Sequence, residues 1–581
     1  MAAKSFAERS PVHVPSSPQP SANPPAAGLR PELVAATSVA QLAGIGSCRI
    51  DWLGGSAAAD EVSVTGIDLR AQGIIEGDLF AALPGTRAHG ASFAQQALEQ
   101  GATAILTDQS GWELLAAASG TTGSGTTALG TTRVPVPVLI HPAPREILGE
   151  VSATIYGHPS EKMKIVGITG TSGKTTTSYL LEAALTAGGR SPALVGTIET
   201  RIRGRRVPSA LTTPEAPQLH ALFAVMAEQG IDTVVMEVSS HALALGRVDG
   251  VRFDIGAFTN LSQDHLDFHK DFDDYFAAKA RLFDSASAVR AATAVICIDD
   301  TWGQQMAHIA RVDRVDPDQQ VVTVTTHPDA DTSAAVHRGA DKSVGWTAGN
   351  SHAEATGGQR FALEGPTGDV YEASIRLPGR YNVANTAVAV AAAARLGVPV
   401  EDALNGIATV DVPGRVQRID RGQDFLVVVD YAHKPAAIEA VLATLRAQMR
   451  AQGPGRIAIV VGAGGDRDTG KRTLMGDAAA RGADLVIVTD DNPRTEDPAA
   501  IRAAVLAGAA QVPESERGEV REVGDRAAAI AEAVAWARSG DVVLVAGKGH
   551  ESGQEIDGVK YPFDDRDVAS AAIDRVVGGA Q

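Results

Sequence analysis

The run Thr169-Gly170-Thr171-Ser172-Gly173-Lys174-Thr175-Thr176 follows an apolar stretch and opens a segment of helical periodicity. Glycines let backbone N–H groups close on phosphate oxygens, and a helix N-terminus favours their negative charge. Lys174 can reach the outer phosphates of a nucleoside triphosphate, and the Thr175 hydroxyl can coordinate Mg²⁺. Gly170 lies only three residues before Gly173, a tighter spacing than the general nucleotide-binding pattern. A plain Gly-rich turn capping a helix is the competing reading. Kinases, motor ATPases and ligases all use such loops, so the neighbours must discriminate.

Two further clusters bear on that. Glu237 closes an apolar run, in Glu237-Val238-Ser239-Ser240-His241, where a carboxylate can hold Mg²⁺ opposite Thr175. Asp264, His265, Asp267 and His269 fall within six residues just past another apolar run. Capping aspartates at an acidic helix start would explain that cluster too. Lys279 follows on a helical segment with Tyr275, Phe276 and Phe283, where a lysine is ordinarily solvated.

The elements that must position these residues belong to a chain of 581 residues, long enough for three or four domains. Apolar content of 44% supports sizeable cores, and a net charge of −18 argues against a nucleic-acid or acidic-membrane partner. Cys48 and Cys297 are the two cysteines, far apart and without metal-ligand spacing, which suits a reducing compartment. The apolar run 387–394 is far short of the ~20 residues of a membrane span. Residues 1–35 read as a disordered Pro/Ser/Ala-rich tail.

Periodicity predicts a first α/β unit over 36–145, with strands at 64–69, 78–83, 104–107 and 136–140 and a helix near 92–100. Within it, 119–132 reads as a flexible Gly/Thr/Ser loop. A second unit, 146–411, carries strands at 164–168, 233–238, 254–258 and 294–298 alternating with helices, which predicts a largely parallel sheet. Residues 327–358 turn polar and read as a surface insertion. The third, 412–581, has strands at 425–429, 456–461, 485–489 and 542–546, each followed by a polar or Gly-rich cluster, as in a Rossmann-like unit.

Taken in order, these motifs resemble the Mur ligases over roughly residues 60–570, and within them the members that add the third residue of the peptidoglycan peptide. The resemblance implies an α/β protein of three domains: a central P-loop parallel-sheet ATPase domain between an N-terminal nucleotide-sugar domain and a C-terminal Rossmann-like domain. It implies an ATP- and Mg²⁺-dependent, cytoplasmic, monomeric ligase. Lys174, His265 and Lys279 form the implied catalytic set. Thr175, Glu237, His265 and Lys279 are the implied metal ligands, the lysine as a CO₂-derived carbamate, since an ammonium would be repelled by Mg²⁺ whereas a carbamate offers an anionic oxygen. ATP is implied at Gly170 to Thr176, Asn382, Asn385, Arg415, Asp430 and His433.

The implied acceptor is UDP-N-acetylmuramoyl-L-alanyl-D-glutamate, held at Asp68, Leu69, Arg70, the 77–80 stretch, Thr212, Thr213, Ser239 and Arg247. Leu69 departs from the family's usual Ser and cannot donate a hydrogen bond. Arg467, Asp491, Asn492, Pro493, Arg494, Gly547 and Glu551 match the form associated with meso-diaminopimelate, whose distal carboxylate suits an arginine fork. The expected chemistry is attack of the D-glutamate side-chain carboxylate on the γ-phosphate, then of the amine on the acyl phosphate, with domain closure excluding water. No residue stands out as the base for the incoming ammonium. L-Lysine as the added amino acid and a folylpolyglutamate-synthase-like ligase are the alternatives within the class. An ATP-switch protein is the alternative outside it.

Overall fold

The computed structural model describes residues 29–119, 135–207, 211–316, 320–327, 345–353 and 358–578. The tail up to residue 28 and residues 120–132 of the Gly/Thr/Ser tract lie outside the described residues. Among these residues the strands gather into three main sheets. The first has the order Arg49–Leu53, Val136–Ile140, Ala104–Thr107, Asp78–Ala81, Gly66–Asp68, parallel except for its first pair. The expected strand 64–69 is divided: Ser63–Val64 pairs with Thr37–Ser38 in a separate ribbon, and Gly66–Asp68 joins the main sheet. The helix near 92–100 begins as the 3₁₀ turn Gly90–Phe93 and is α-helical over Ala94–Glu99.

The second sheet is twelve-stranded, with seven parallel strands from Pro192–Val195 to Gly345–Ala348 and antiparallel ribbons at both ends. Lys164–Thr169 lies between Thr233–Glu237 and Ile255–Phe258, so three of the motif-bearing segments leave adjacent strands at one end. All three strands are buried almost throughout, as continuous apolar runs in a sheet covered on both faces must be. The helix Lys174–Ala187 covers one face, and Gly406 lets the helix Val400–Ile407 meet it: a Cβ there would lie 2.6 Å from the Ala183 carbonyl oxygen.

The expected insertion at 327–358 is corrected in its described part. Gly345–Ala348 pairs parallel with Val321–Thr325, and His352–Ala353 pairs with Gln359–Glu364. Trp346 and Ala348 alternate inward, but two inward residues amid polar neighbours are too short a period to read. The third sheet runs Gln417–Ile419, Leu426–Asp430, Val542–Ala546, Ile457–Val461, Leu485–Val488, Glu519–Glu522, with its last five strands parallel. Among the described residues no helix is long and apolar enough to cross a membrane.

Candidate active site at the junction of the central and C-terminal sheets

The strand Lys164–Thr169 hands the chain to Gly170 (φ +145°) and Gly173 (φ +90°), backbone states that L side chains rarely adopt. Space also excludes a side chain there. A Cβ on Gly170 would sit 2.0 Å from Thr259 Oγ1, and one on Gly173 would sit 2.4 Å from Asn385 Oδ1. Lys174 folds its ammonium back over the loop, donating to the carbonyls of Gly170 (2.9 Å) and Thr171 (3.1 Å). Enclosure pulls that ammonium down to about 8, although Glu237 opposes the shift.

Thr175 donates to Glu237, its Oγ1 3.0 Å from both carboxylate oxygens. Glu237 is buried and also accepts the Thr197 N–H (2.8 Å) and hydroxyl (3.0 Å). Beneath the loop, Lys279 is fully buried, with Nζ 3.0 Å from the Gly170 carbonyl and 4.5 Å from the centre of the Tyr275 ring. Burial, with Lys174 nearby, holds its pKa well below the ordinary lysine value. Enclosure of this kind favours the neutral amine over the ammonium. His265, in a left-handed backbone conformation (φ +55°), lies 3.1 Å from Asp264. Burial lowers its imidazole to about 4 against the pull of Asp264, which leaves a lone pair free for a metal.

These donors fit a divalent cation shared with phosphate oxygens. They do not form a cage by themselves: among the described residues no group of three or more His, Cys, Asp or Glu could hold a metal ion.

The C-terminal region closes the site. Arg415 reaches Thr175 Oγ1 (3.4 Å) while its guanidinium lies 4.5 Å over the Tyr431 ring. Lys434 pairs with Asp264 at 2.5 Å. Burial works against ionisation of Asp264, but Lys434 and His265 hold its carboxyl well below the usual range. Asp264 belongs to the acidic cluster read from sequence, but its partner Lys434 was not singled out. The pair joins segments 170 residues apart, so no local pattern marks it.

The remaining expected nucleotide residues lie around this junction. Asn382 and Asn385 are buried and bonded to one another (3.1 Å), with Asn385 against Gly173. Asp430 accepts the N–H groups of Val416 (2.7 Å) and Ala432 (2.8 Å), so it organises its own turn. His433 is tied to the Tyr431 carbonyl (2.7 Å), and burial lowers it to about 3.

Four expected acceptor residues form one chain with Glu237. Thr213 Oγ1 donates to the Glu237 carbonyl (2.9 Å) and accepts the Ser239 N–H (3.2 Å). The Thr212 and Thr197 hydroxyls are 3.1 Å apart, and Arg247 reaches the Thr213 carbonyl (3.4 Å) and Glu215 (2.8 Å). Asp68 and Arg70 pair with one another on the first sheet, and Leu69 packs on its core. Gln218 donates to Asp68 (3.0 Å), a link to the central region that sequence did not suggest.

At the ends of the C-terminal strands, Arg494 (φ +53°) donates to the Gly465 carbonyl (2.6 Å) and faces Glu555 (3.4 Å). Glu551 accepts from Asn492 (2.9 Å); burial and then Asp491 raise its pKa. Gly547 (φ +116°) is required because a Cβ would lie 2.7 Å from Asp491 Oδ2. Pro493 is buried in this loop, and Arg467 is exposed on the loop after Ile457–Val461. Lys548, which sequence reasoning passed over, is the fully buried hub, donating to Asn492 Oδ1 and the Gly553 carbonyl, both at 2.8 Å. The Tyr431 and His550 rings, 5.0 Å apart, connect this cluster to the phosphate loop.

Three segments match known families: residues 63–155 the Mur ligase family catalytic domain, 168–393 the Mur ligase middle domain, and 414–549 the Mur ligase glutamate ligase domain. The chain is 51% identical over 519 residues to a UDP-N-acetylmuramoyl-L-alanyl-D-glutamate–2,6-diaminopimelate ligase of Corynebacterium glutamicum, covering 89% of this chain and 93% of that one. It is 48% identical to the protein of the same description in Streptomyces avermitilis, over 94% of this chain and 99% of that one. A solved structure of a UDP-N-acetylmuramoyl-L-alanyl-D-glutamate–2,6-diaminopimelate ligase superposes with a TM-score of 0.60 at 29% identity, covering 94% of this chain and all of that one.

Proposed function

The chain belongs to the Mur ligase family, and from that premise we propose that it joins meso-diaminopimelate to the D-glutamate of UDP-N-acetylmuramoyl-L-alanyl-D-glutamate at the expense of ATP, in peptidoglycan synthesis. One observation carries the choice of amine. Asn492 donates to Glu551 and its carbonyl accepts the Gly465 N–H, while Arg494 donates to the Gly465 carbonyl, which sets a cationic fork near a carboxylate. That pair suits an amino acid whose far end carries both a carboxylate and an ammonium. In this reading segments 36–145, 146–411 and 412–581 bind the nucleotide sugar, ATP and the amine. Substrates of this kind argue for a cytoplasmic site of action, and a site built from one chain argues for a working monomer.

Residues of this chain account for the chemistry as follows. Thr212, Thr213, Ser239 and Arg247 hold the acceptor beside Glu237. Lys174 exchanges the Gly170 and Thr171 carbonyls for the γ-phosphate, and Arg415 approaches it from the other side. Mg²⁺, held by Thr175, Glu237, His265 and carbamylated Lys279, would draw charge from the phosphate oxygens. The acceptor carboxylate oxygen bonds to the γ-phosphorus as the bond to ADP breaks. The amine then bonds to the acyl carbon, loses a proton, and phosphate departs. The Lys434–Asp264 contact keeps the two regions together and water out while the acyl phosphate lasts.

The deciding experiment measures phosphate release with ATP, Mg²⁺ and the UDP-dipeptide, adding meso-diaminopimelate, L-lysine or no amine. Release dependent on diaminopimelate is expected. Preference for lysine would overturn the choice of amine, and indifference to every amine would overturn the ligation.

A further inference from the structure

Residues 29–33 precede the matched family segments and lie within the stretch read from sequence as a tail, yet their polar groups are committed to specific partners. Arg30 forks onto Asp78, with Nη1 2.9 Å from Oδ1 and Nη2 2.7 Å from Oδ2. Asp78 is fully buried, so this is a bidentate pair with a desolvated carboxylate. Nη2 also donates to the Gly73 carbonyl (3.0 Å) and stands 3.9 Å from Asp68, and Nη1 lies 3.4 Å from the Tyr156 hydroxyl. One guanidinium thus touches both ends and the middle of the loop 68–78. The fit is close: a Cβ on Gly66 would fall 2.5 Å from Nη1 and 2.1 Å from Asp78 Oδ1.

Two residues further on, the N–H groups of Glu32 (3.0 Å) and Leu33 (2.9 Å) donate to the two carboxylate oxygens of Glu228. Glu228 ends the helix Ala216–Glu228, which starts just after Thr212 and Thr213. The same helix sends Gln218 to Asp68 (3.0 Å). The strap therefore links the loop read as the uridine site to the far end of the helix that follows the dipeptide threonines.

We propose that Arg30 is a positioning residue of the UDP-dipeptide site, and that residues 29–33 hold the uridine loop at a set distance from the helix Ala216–Glu228, whose other end follows the dipeptide threonines. This rests on the UDP-dipeptide site proposed above. A long substrate contacted at both ends binds well only if its two half-sites keep their spacing, so loosening the strap weakens binding of the UDP-dipeptide and leaves the other substrates alone. Of the two grips, Arg30 on buried Asp78 dominates, because the Glu228 grip is exposed to water.

The test is steady-state kinetics of the full chain with Arg30→Met, Arg30→Lys and Glu228→Ala. The KM for the UDP-dipeptide is expected to rise about tenfold or more in Arg30→Met, with kcat and the KM values for ATP and amine near wild type. Arg30→Lys, keeping the charge without the fork, should fall between. Glu228→Ala, at an exposed position that folding tolerates, should raise the same KM by a smaller factor. An unchanged UDP-dipeptide KM in both Arg30→Met and Glu228→Ala, or an equal rise for all three substrates, overturns the strap. A wild-type chain that does not turn over the UDP-dipeptide overturns the substrate reading itself, a result distinguishable before any variant is compared.

Discussion

Among the described residues, two buried basic sites treat their charge in opposite ways. Behind the proposed amine pocket, Arg526 forks onto Asp565 at 2.8 and 2.7 Å, both side chains fully buried, and donates to the Ala546 carbonyl at the end of its strand. Lys548 beside it lies within 3.4 Å of Asp491. Beneath the phosphate loop, Lys279 has a carbonyl and a ring face, and no carboxylate among the described residues pairs with it. A buried cation with a fitted anion is scaffold, whereas burial without an anion favours the neutral, reactive amine. Chain position conveys nothing of this difference: Lys279 stands on an aromatic- and alanine-rich helix and Lys548 between two glycines, and neither setting names a partner.

The comparison is most exposed at Arg526. Arg526→Met leaves Asp565 buried without a partner and should cost about 3–5 kcal/mol of stability, read by urea unfolding. The double variant Arg526→Met/Asp565→Leu should recover much of that loss. If the single variant unfolds like wild type, the pair is not scaffold and the contrast collapses.

Lys279 should behave in reverse. Lys279→Ala should lose about 10²–10³-fold in kcat while its unfolding midpoint changes little, because removal of a buried, uncompensated amine relieves desolvation. Added formate or acetate should restore part of the phosphate release by supplying the missing carboxylate oxygens. Full activity without them would remove the carbamate from the proposal.

A smaller effect separates recognition from scaffold within the amine pocket. Arg494→Lys keeps a charge but not the fork, and should lower kcat/KM for meso-diaminopimelate by about 10–100-fold. Turnover of L-lysine, which offers no distal carboxylate, should hardly move. Equal losses with both amines would mean that Arg494 works by bracing Gly465 and Glu555 and not by binding substrate.

What could be read from the sequence follows the same division between local and distant causes. The phosphate loop is eight consecutive residues at one strand–helix junction, and the helix Lys174–Ala187 that it opens is legible because loop and helical run are contiguous. Strands such as Ala104–Thr107 and Val542–Ala546 were legible because every residue is buried, giving unbroken apolar runs. Arg30 was hidden in a Pro-rich stretch, and its partner Asp78 is 48 residues away. Gln218 and Asp68 are 150 residues apart, and Lys548 and Asn492 are 56 apart. Glu237 could be singled out at its strand end, but Thr197, which donates two hydrogen bonds to it, lies in a turn without pattern. Contacts made only by tertiary packing leave no period in the sequence.

Lys174 stands between the two regimes, and pH sharpens the distinction. Its ammonium, lowered to about 8 in the free protein, loses its charge well below the 10.5 of an ordinary lysine. Between those values the unfolded chain binds a proton that the folded chain has released, so this group makes stability rise with pH across that window. Catalysis should move the other way, because phosphate binding needs the charge. The kcat/KM for ATP, which reports the free enzyme, should fall above about pH 8, by up to about tenfold per unit. Bound triphosphate favours the ammonium, so kcat at saturating ATP should keep its plateau to higher pH. Lys174→Arg, charged throughout, should abolish the descending limb of kcat/KM while lowering its height. If the limb is the same in kcat and kcat/KM, or survives in Lys174→Arg, another group is titrating, and the buried amine that matters is Lys279 alone.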